Sequence, residues 1–180
     1  MKDFTHNPTI KIYLFLFFLA SILGFLWESF LLYLQAGIWA KRGFFYGPWL
    51  PIYGTGTVLL VFFLVPFRRN FFLCFVSSAF LGSVTELLLG VLLHQFFGLR
   101  YWDYTEWFMN YHGYICLFSM LGFGICGSLF LHYLYPHLFT LWYRIPSLIR
   151  KALLIVLSLL ILFDTFLALS SPRSGHGITF

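Results

Sequence analysis

The chain alternates between long apolar runs and short polar segments. Five apolar runs cover residues 12–34, 55–65, 71–93, 113–135 and 152–169. At 1.5 Å per residue, a helix of about 20 residues crosses a hydrocarbon core of about 30 Å. Prolines and charged residues separate the runs, and prolines interrupt helices. The pattern predicts an all-α integral membrane protein. Its single transmembrane domain (residues 12–169) has five helices, between an N-terminal segment (1–11) and a C-terminal tail (170–180).

The composition excludes an ordinary soluble domain. Apolar residues make up 61% of the chain and charged residues 9%, and the mean hydropathy is +0.87. So few charges cannot cover a water-facing surface. The net charge of +5 comes from lysines and arginines that are scattered between apolar runs and form no basic stripe. We therefore expect membrane lipid, and no nucleic acid, as a partner.

Lysine and arginine lie unevenly on alternate sides of the predicted helices. Seven belong to the N-terminal segment, the 66–70 turn and the 136–151 connector, and four belong to the other side. Because cytoplasmic loops are enriched in these residues, we predict a cytoplasmic N-terminus. With five crossings, the polar loops at residues 35–53 and 94–112 then face outward, as does the tail.

A repeat with an offset of 58 residues relates the first two helices to the next two. Aligning residues 17–59 with residues 75–117 gives eleven identical pairs, whereas composition alone gives about four. The less common residues that recur are Gly24, Glu28, Arg42, Tyr46, Trp49 and Tyr53, matched by Gly82, Glu86, Arg100, Tyr104, Trp107 and Tyr111. We predict two parallel two-helix repeats, about residues 12–66 and 71–135, with the fifth helix alongside.

Three carboxylates share one depth in the predicted membrane. Glu28, Glu86 and Asp164 lie five to seven residues before the outer ends of their helices, which is about 8–11 Å below the outer boundary. An unpaired charge inside a membrane costs about 2.5–3.5 kcal/mol on insertion scales, so such acids pair with other groups or mark a functional site. We expect each polar loop to dip back so that Arg42 and Arg100 meet this acidic layer.

These residues predict a polar binding site for a solute or an ion within the membrane. The glutamates would carry an alternating charge or proton step, and the arginines would hold an anionic group or balance the acids. Tyrosines and a tryptophan would form the walls. The candidate binding residues are Glu28, Arg42, Tyr46, Tyr53, Glu86, Arg100, Trp102, Asp103, Tyr104, Asn110 and Asp164.

Two other interpretations of the same residues remain open. The Glu–Arg pairs can be structural, locking helices and loops together in a non-catalytic scaffold or sensor. Alternatively, a carboxylate base and an arginine that grips a phosphate can belong to an intramembrane enzyme that modifies lipid. The chain shows no Ser/His/Asp arrangement and no short metal-ligand spacing, so we expect no catalytic residue, metal or cofactor.

Four motifs within the repeats share their length and spacing with a known family. They are Arg42-Gly-Phe-Phe-Tyr-Gly-Pro-Trp-Leu-Pro-Ile-Tyr-Gly54, Gly82-x-x-x-Glu86, Trp102-Asp103-Tyr104 and Asn110-x-x-Gly113-x-Ile115. Over about residues 24–115 the chain resembles the small bacterial membrane proteins of the Putative ABC-transporter type IV (CmpB) family. The fifth helix lies outside this resemblance. The resemblance implies a multi-pass, permease-like protein of the bacterial inner membrane.

The resemblance also suggests an ABC partner. The chain itself has no Gly-x-x-x-x-Gly-Lys-Ser/Thr phosphate loop, so any ATPase would be a separate subunit. A chain of this size makes a poor pore alone, and we expect a homo-oligomer or a partner. The function we predict is binding and translocation of a small or amphipathic solute through an intramembrane Glu/Arg site.

Overall fold

The computed structural model describes residues 8–170, except residues 38–42, 44, 99 and 101. Within this part of the chain the regular elements are helical, which confirms the predicted all-α class. They are α1 (Ile10–Ala36), α2 (Pro51–Leu64), α3 (Phe71–Phe97), α4 (Leu117–Leu129), α5 (Tyr135–Arg144) and α6 (Ser147–Ser170). Their contacts divide the described residues into two compact units. The first unit contains residues 8–58 and 139–170, and the second contains residues 59–138.

Among the described residues, four helical stretches are long and apolar enough to cross a membrane. They are Ile10–Leu34, Phe71–Phe96, Leu117–Arg144 and Ser147–Ser170. Large apolar side chains cover their outer faces, and in α6 Leu162 and Phe166 are 65% and 67% exposed. Such continuous apolar surface suits lipid rather than water. The prediction of a multi-pass membrane protein is confirmed. The second predicted helix lies in the apolar stretch Pro51–Phe67, which is shorter than these four.

In the first unit, α1 and α6 run in the same direction. Their first turns line one cavity, to which α1 contributes Lys11 and α6 contributes Arg150. Farther along, Glu28 of α1 and Asp164 of α6 both bind the segment 46–53. Because the two helices are close to shared groups at an early and at a later position, they are parallel neighbours.

The short helix α2 begins at Pro51, four residues before the predicted start. Proline suits the first turn of a helix because its missing N–H group has no partner to lose there. The Leu50 N–H group donates to the Ser21 carbonyl at 3.0 Å, which ties this start to α1. Gly54 then approaches α1 so closely that a Cβ atom would lie 2.5 Å from the Phe17 carbonyl oxygen. The glycine therefore permits the contact between the two helices.

In the second unit, α3 and α4 pack together through small residues. Cβ atoms on Gly124 and Gly127 would lie 2.7 Å and 2.5 Å from side-chain atoms of Phe75 and Ser78, respectively. Helix α4 begins at Leu117 rather than at the predicted residue 113. Its N-cap is Cys116, whose side chain and backbone exchange hydrogen bonds with Ser119.

Pro136 does not end the fourth helix as predicted. A π-helical turn, Phe130–Leu134, joins α4 to α5, and the helix continues to Arg144. Proline normally collides with the carbonyl group four residues earlier and breaks a helix. A π turn inserts one extra residue, and such bulges accommodate local irregularity within a helix. As a result, only residues 145–146 connect α5 to α6, whereas the sequence predicts a basic connector over residues 136–151. Helix α6 begins at Ser147, five residues earlier than predicted.

Candidate functional site

Asp164 fastens the first polar loop to α6. Its side chain is buried, with 5% of the residue exposed. Its Oδ1 accepts a hydrogen bond from the Tyr46 N–H group at 2.8 Å. Its Oδ2 accepts from the Gly47 N–H group at 2.7 Å and from the Trp49 Nε1–H group at 2.5 Å. Hydrogen bonds to an ionised acceptor are stronger than those between neutral groups. Three of them offset much of the free-energy cost of burying this carboxylate.

Glu28 of α1 accepts a hydrogen bond from the Tyr53 hydroxyl group. Tyr53 lies in the first turn of α2, and its ring covers Gly24, where a Cβ atom would overlap the ring. Residues four apart share one face of a helix. In α1 this Gly-x-x-x-Glu spacing lets one tyrosine pack on the glycine and bind the glutamate one turn later, whereas in α3 Phe123 covers Gly82 and Tyr104 binds Glu86. The expected partner Arg42 lies outside the described residues.

Glu86 of α3 is the corresponding acid of the second unit and is half-buried. Its Oε1 accepts a hydrogen bond from the Tyr104 hydroxyl group at 3.0 Å. Its Oε2 is buried and has no hydrogen-bond partner of normal geometry in the described part of the chain, although the Ser119 side chain lies near the carboxylate. The Tyr104 N–H group donates to the Gly113 carbonyl at 2.9 Å, which holds the tyrosine on its loop. Leaving a buried polar atom without a partner costs about 1–3 kcal/mol, and more for a charged group.

Arg100 makes its contacts within the second polar loop. Its Nη2 lies 3.0 Å from Asp103 Oδ1 and also donates to the His112 carbonyl at 2.9 Å. The expected contact with Glu86 is not among its interactions in the described residues. The difference has a physical reason, because Asp103 is exposed and only three residues away. Pairing there avoids the desolvation of two charges that a buried pair with Glu86 requires.

Asp103 forms a turn rather than a wall of a buried site. Its Oδ1 accepts hydrogen bonds from the Thr105 hydroxyl group and, at 2.9 Å, from the Thr105 N–H group. Aspartate commonly closes turns by binding the backbone two residues on. These hydrogen bonds, and to a smaller extent the charge of Arg100, hold the pKa of Asp103 below its ordinary value. The carboxylate is therefore ionised and bound on the exposed loop.

Asn110 holds the middle of the same loop. Its side-chain amide group donates to the Thr105 carbonyl at 2.9 Å and to the Trp107 carbonyl at 3.0 Å. Its Oδ1 accepts from the Gly113 N–H group at 3.1 Å. Gly113 has φ 72°, a left-handed conformation that glycine adopts without strain. One side chain thus satisfies three backbone groups and fixes the loop from within.

Tyr114 joins several predicted residues but is not itself predicted. Its hydroxyl group lies 2.6 Å from His94 Nδ1, and its carbonyl accepts from Trp102 Nε1 at 2.8 Å. The Arg100 guanidinium group lies 5.2 Å from the centre of its ring. The repeat gives no signal here because residue 56, its counterpart at the offset of 58, is a glycine. Trp49 does carry a repeat signal through Trp107, but the pattern names no partner for it.

The predicted residues therefore separate into two functional kinds. One kind fixes the loops, namely Asp164 with Tyr46 in the first unit, and Arg100, Trp102, Asp103 and Asn110 in the second. The other kind is a glutamate on a membrane helix bound by a tyrosine from the following segment, namely Glu28 with Tyr53 and Glu86 with Tyr104. The second kind places a carboxylate of a membrane helix beside a tyrosine hydroxyl group.

Comparison with known proteins places the chain at the level of a family. No curated protein and no solved structure matches it. The profile of one family matches residues 15–169, which is most of the chain. The match extends beyond the motifs at residues 24–115 and includes Asp164 of α6. The chain therefore belongs to the family described as Putative ABC-transporter type IV.

Proposed function

We propose that this chain is the permease-like membrane subunit of a transporter and that Glu86 binds the solute, or a proton that accompanies it. The supporting observation is the buried Oε2 atom, which lacks a hydrogen-bond partner in the described part of the chain, while Oε1 is bound by Tyr104. Ionisable residues in membrane helices are rare and usually belong to substrate, ion or proton pathways. A proton, a cation or a donor group of a solute would remove the cost of the unsatisfied oxygen.

Glu28 supplies a second carboxylate bound by a tyrosine, although Tyr53 and Tyr104 occupy different positions in the repeat. Each glutamate is held by a tyrosine hydroxyl group, so each can bind a positively charged or hydrogen-bond-donating group. We therefore assign the two glutamates to a small or amphipathic solute with such a group. Tyr53 and Tyr104 are positioning residues, and Arg100 maintains the loop that carries Tyr104.

We also propose that the two units carry one repeated helix pair. Similar glycine contacts support this proposal. In the first unit Gly24 contacts Tyr53 and Gly54 contacts Phe17. In the second unit Gly82 contacts Phe123 and Gly124 contacts Phe75. A shift of 58 residues relates the α1 and α3 members, and a shift of 70 relates the α2 and α4 members. Of the extra 12 residues, five belong to the second loop (98–116), which is the longer and internally bonded one, and the rest lie in the last turn of α3 and the first turns of α4.

The direction of α6 supports five membrane crossings. Helices α1 and α6 run in the same direction, whereas a chain that crossed with only the four long helices would bring α6 back antiparallel to α1. We therefore assign the stretch Pro51–Phe67 to a short crossing, near the lower limit of about 17 residues. With the bias of lysine and arginine, the N-terminus is then cytoplasmic and both polar loops face outward. The membrane is the bacterial inner membrane, as the family resemblance implies.

The energy source in this proposal is a separate ATPase subunit. The family description names an ABC transporter, and the sequence lacks a phosphate-binding loop of its own. A homo-oligomer or such a complex would also supply the additional wall that a small bundle needs around a solute pathway.

The experiment compares Glu86→Gln with Glu106→Gln. Both changes remove one negative charge with little change of shape, but Glu106 lies exposed on the second loop. Uptake of a panel of radiolabelled cationic, neutral and anionic solutes is measured in cells that express each variant, and unfolding midpoints are measured in detergent. We expect Glu86→Gln to abolish uptake of the transported solute while its midpoint stays within about 2–4 °C of the wild-type value.

Two outcomes would refute this function. If Glu86→Gln lowers the unfolding midpoint in proportion to the loss of uptake, Glu86 is part of a structural scaffold. If Glu86→Gln transports as well as Glu106→Gln, the carboxylate is not required. A direct readout is reaction with dicyclohexylcarbodiimide, which modifies protonated carboxyl groups in apolar surroundings. We expect mass spectrometry to find this label on Glu86 and little of it on Glu106.

A further inference from the structure

A cavity of about 190 Å³ lies where α1 and α6 begin, away from the glutamates. Three cationic side chains line it, Lys11 from α1 and the adjacent Arg150 and Lys151 from α6. Within the described residues no carboxylate forms an ion pair with any of them. A cavity with three positive charges and no paired acid attracts an anion.

The backbone adds to this attraction. The N-cap residue Thr9 of α1 and the first residue Ser147 of α6 both line the cavity. Neither helix has an acidic residue in its first turn, and the Thr9 side chain makes no capping hydrogen bond. The first N–H groups of a helix are unsatisfied and carry a partial positive charge that binds phosphate groups. The residues at the N-terminal ends of both helices thus line the same cavity.

Aromatic rings hold the central cation in place. The Arg150 guanidinium group lies 5.4 Å from the ring centre of Trp142 and 5.2 Å from that of Tyr143. Trp142 is buried and stacks on Phe15 of α1 at 4.7 Å between ring centres. A guanidinium group on an aromatic face keeps its N–H groups free in the ring plane. Arg150 is therefore oriented before any ligand arrives, which lowers the entropic cost of binding.

We propose that this cavity binds the phosphate of an anionic phospholipid head group. A lipid fits better than free phosphate because the cavity lies at the ends of two membrane-spanning helices. Beyond its first turn, α6 presents exposed apolar side chains such as Ile155 and Leu159, against which acyl chains can lie. In the proposed orientation the cavity faces the cytoplasmic leaflet, where basic pockets between helices bind anionic head groups. Tryptophan and tyrosine are also typical of that interface.

The test is a titration of purified protein in neutral detergent with short-chain phosphatidylglycerol, phosphatidylcholine or inorganic phosphate. Binding is measured by native mass spectrometry and by thermal stabilisation. Each interfacial cation contributes about a fivefold gain in affinity for anionic lipid, so the triple variant K11Q/R150Q/K151Q is expected to bind phosphatidylglycerol on the order of a hundredfold more weakly. Arg144→Gln is the matched control, because Arg144 is exposed at the end of α5 and does not line the cavity.

Single variants Lys11→Gln and Lys151→Gln, at exposed positions, replace the triple variant if the latter does not fold, and each is expected to lose about fivefold. Unchanged phosphatidylglycerol binding in these variants, or equal binding of phosphatidylcholine, overturns the proposal. Equally tight binding of inorganic phosphate overturns the lipid assignment and leaves a simple anion site.

Discussion

The loop after α1 and the loop after α3 hold corresponding positions in the sequence repeat, yet they are fixed in different ways. The first loop depends on Asp164, which lies 115 residues from Trp49 in sequence. The second loop is fixed by its own side chains, chiefly Asp103 and Asn110, with Arg100 at its start. The glutamate therefore recurs at the offset of 58, whereas the tyrosine that binds it comes from a different position in each unit, and the support around each loop differs as well.

The difference has a consequence for motion. Local hydrogen bonds within one loop keep their geometry whenever that segment is ordered, whereas the first loop keeps its geometry only while α6 stays in place. A tilt or shift of α6 would move the first loop and with it Tyr53, the partner of Glu28. In a transporter, such a link would let movement of one helix change access to one carboxylate and leave the other unchanged.

Replacing Asp164 with alanine has the largest expected effect. The change leaves the N–H groups of Tyr46, Gly47 and Trp49 without their acceptor, at about 1–3 kcal/mol for each buried donor. We expect the free energy of unfolding to fall by roughly 3–5 kcal/mol, and by less for Asp164→Asn, whose oxygen still accepts. Thermal unfolding in detergent measures the loss, and hydrogen exchange at residues 45–50 locates it. Asp103→Asn is the matched control, and an equal loss there would remove the distinction between the loops.

The glycine contacts test what the two units share. A methyl group on Gly82 would overlap Phe123, as one on Gly24 would overlap Tyr53, and overpacking of this kind costs about 1–3 kcal/mol. Gly122 on α4 has open space around its Cβ position, so Gly122→Ala should be neutral or stabilise the helix by about 0.5–1 kcal/mol. Unfolding midpoints of Gly82→Ala, Gly24→Ala and Gly122→Ala provide the comparison. Similar midpoints for all three would contradict close packing at the repeated glycines.

These contacts also show what the sequence can predict. The apolar runs predict the helices because membrane length and composition leave few alternatives. The repeat singles out Glu28 and Glu86, but it does not predict which tyrosine binds each of them. The pattern does not predict the partner of Asp164, since backbone N–H groups have no sequence signature. It also places Arg100 on the wrong acid. The matching positions in the repeat suggest Glu86 as the partner of Arg100. Arg100 instead pairs with Asp103, which is closer in sequence, exposed and already hydrated.

Pro136 illustrates a second limit. Proline predicts a helix end from local sterics, but one extra residue in a π turn lets the helix continue to Arg144. Such an insertion depends on the packing around the helix rather than on the residue itself. For the same reason, the sequence predicts neither the two-residue connector nor the convergence of the first turns of α1 and α6 on one cavity.

Asn110→Ala should have a moderate effect that stays within the second loop. The change removes one acceptor and two donor bonds, each contributing about 0.5–1.5 kcal/mol where fully formed and less at this partly exposed position. We expect hydrogen exchange to speed up at residues 102–115 and to stay unchanged at residues 45–50. Asn110→Asp keeps the acceptor and loses both donors. Its exchange rates at residues 102–115 should therefore lie between those of the wild type and Asn110→Ala, or above both if its charge strongly repels the two carbonyl groups. Faster exchange in both loops would show that the loops are coupled.

The smallest expected effect is the acid response of the second loop. Hydrogen bonds from Thr105, with a contribution from Arg100, lower the pKa of Asp103, so the folded loop favours the ionised carboxylate. The stabilisation is complete above the ordinary aspartate value of about 3.9 and is lost as the pH falls through the lower folded value. Between pH 5 and pH 3, where free histidine stays protonated, exchange at residues 102–115 should therefore increase relative to Asp103→Asn. The Asp103→Asn variant lacks the titrating group, so a parallel profile in both proteins would show that Asp103 does not control the loop. Because Asp103 is exposed, the response should be confined to its own turn and should leave the Tyr104–Glu86 contact intact.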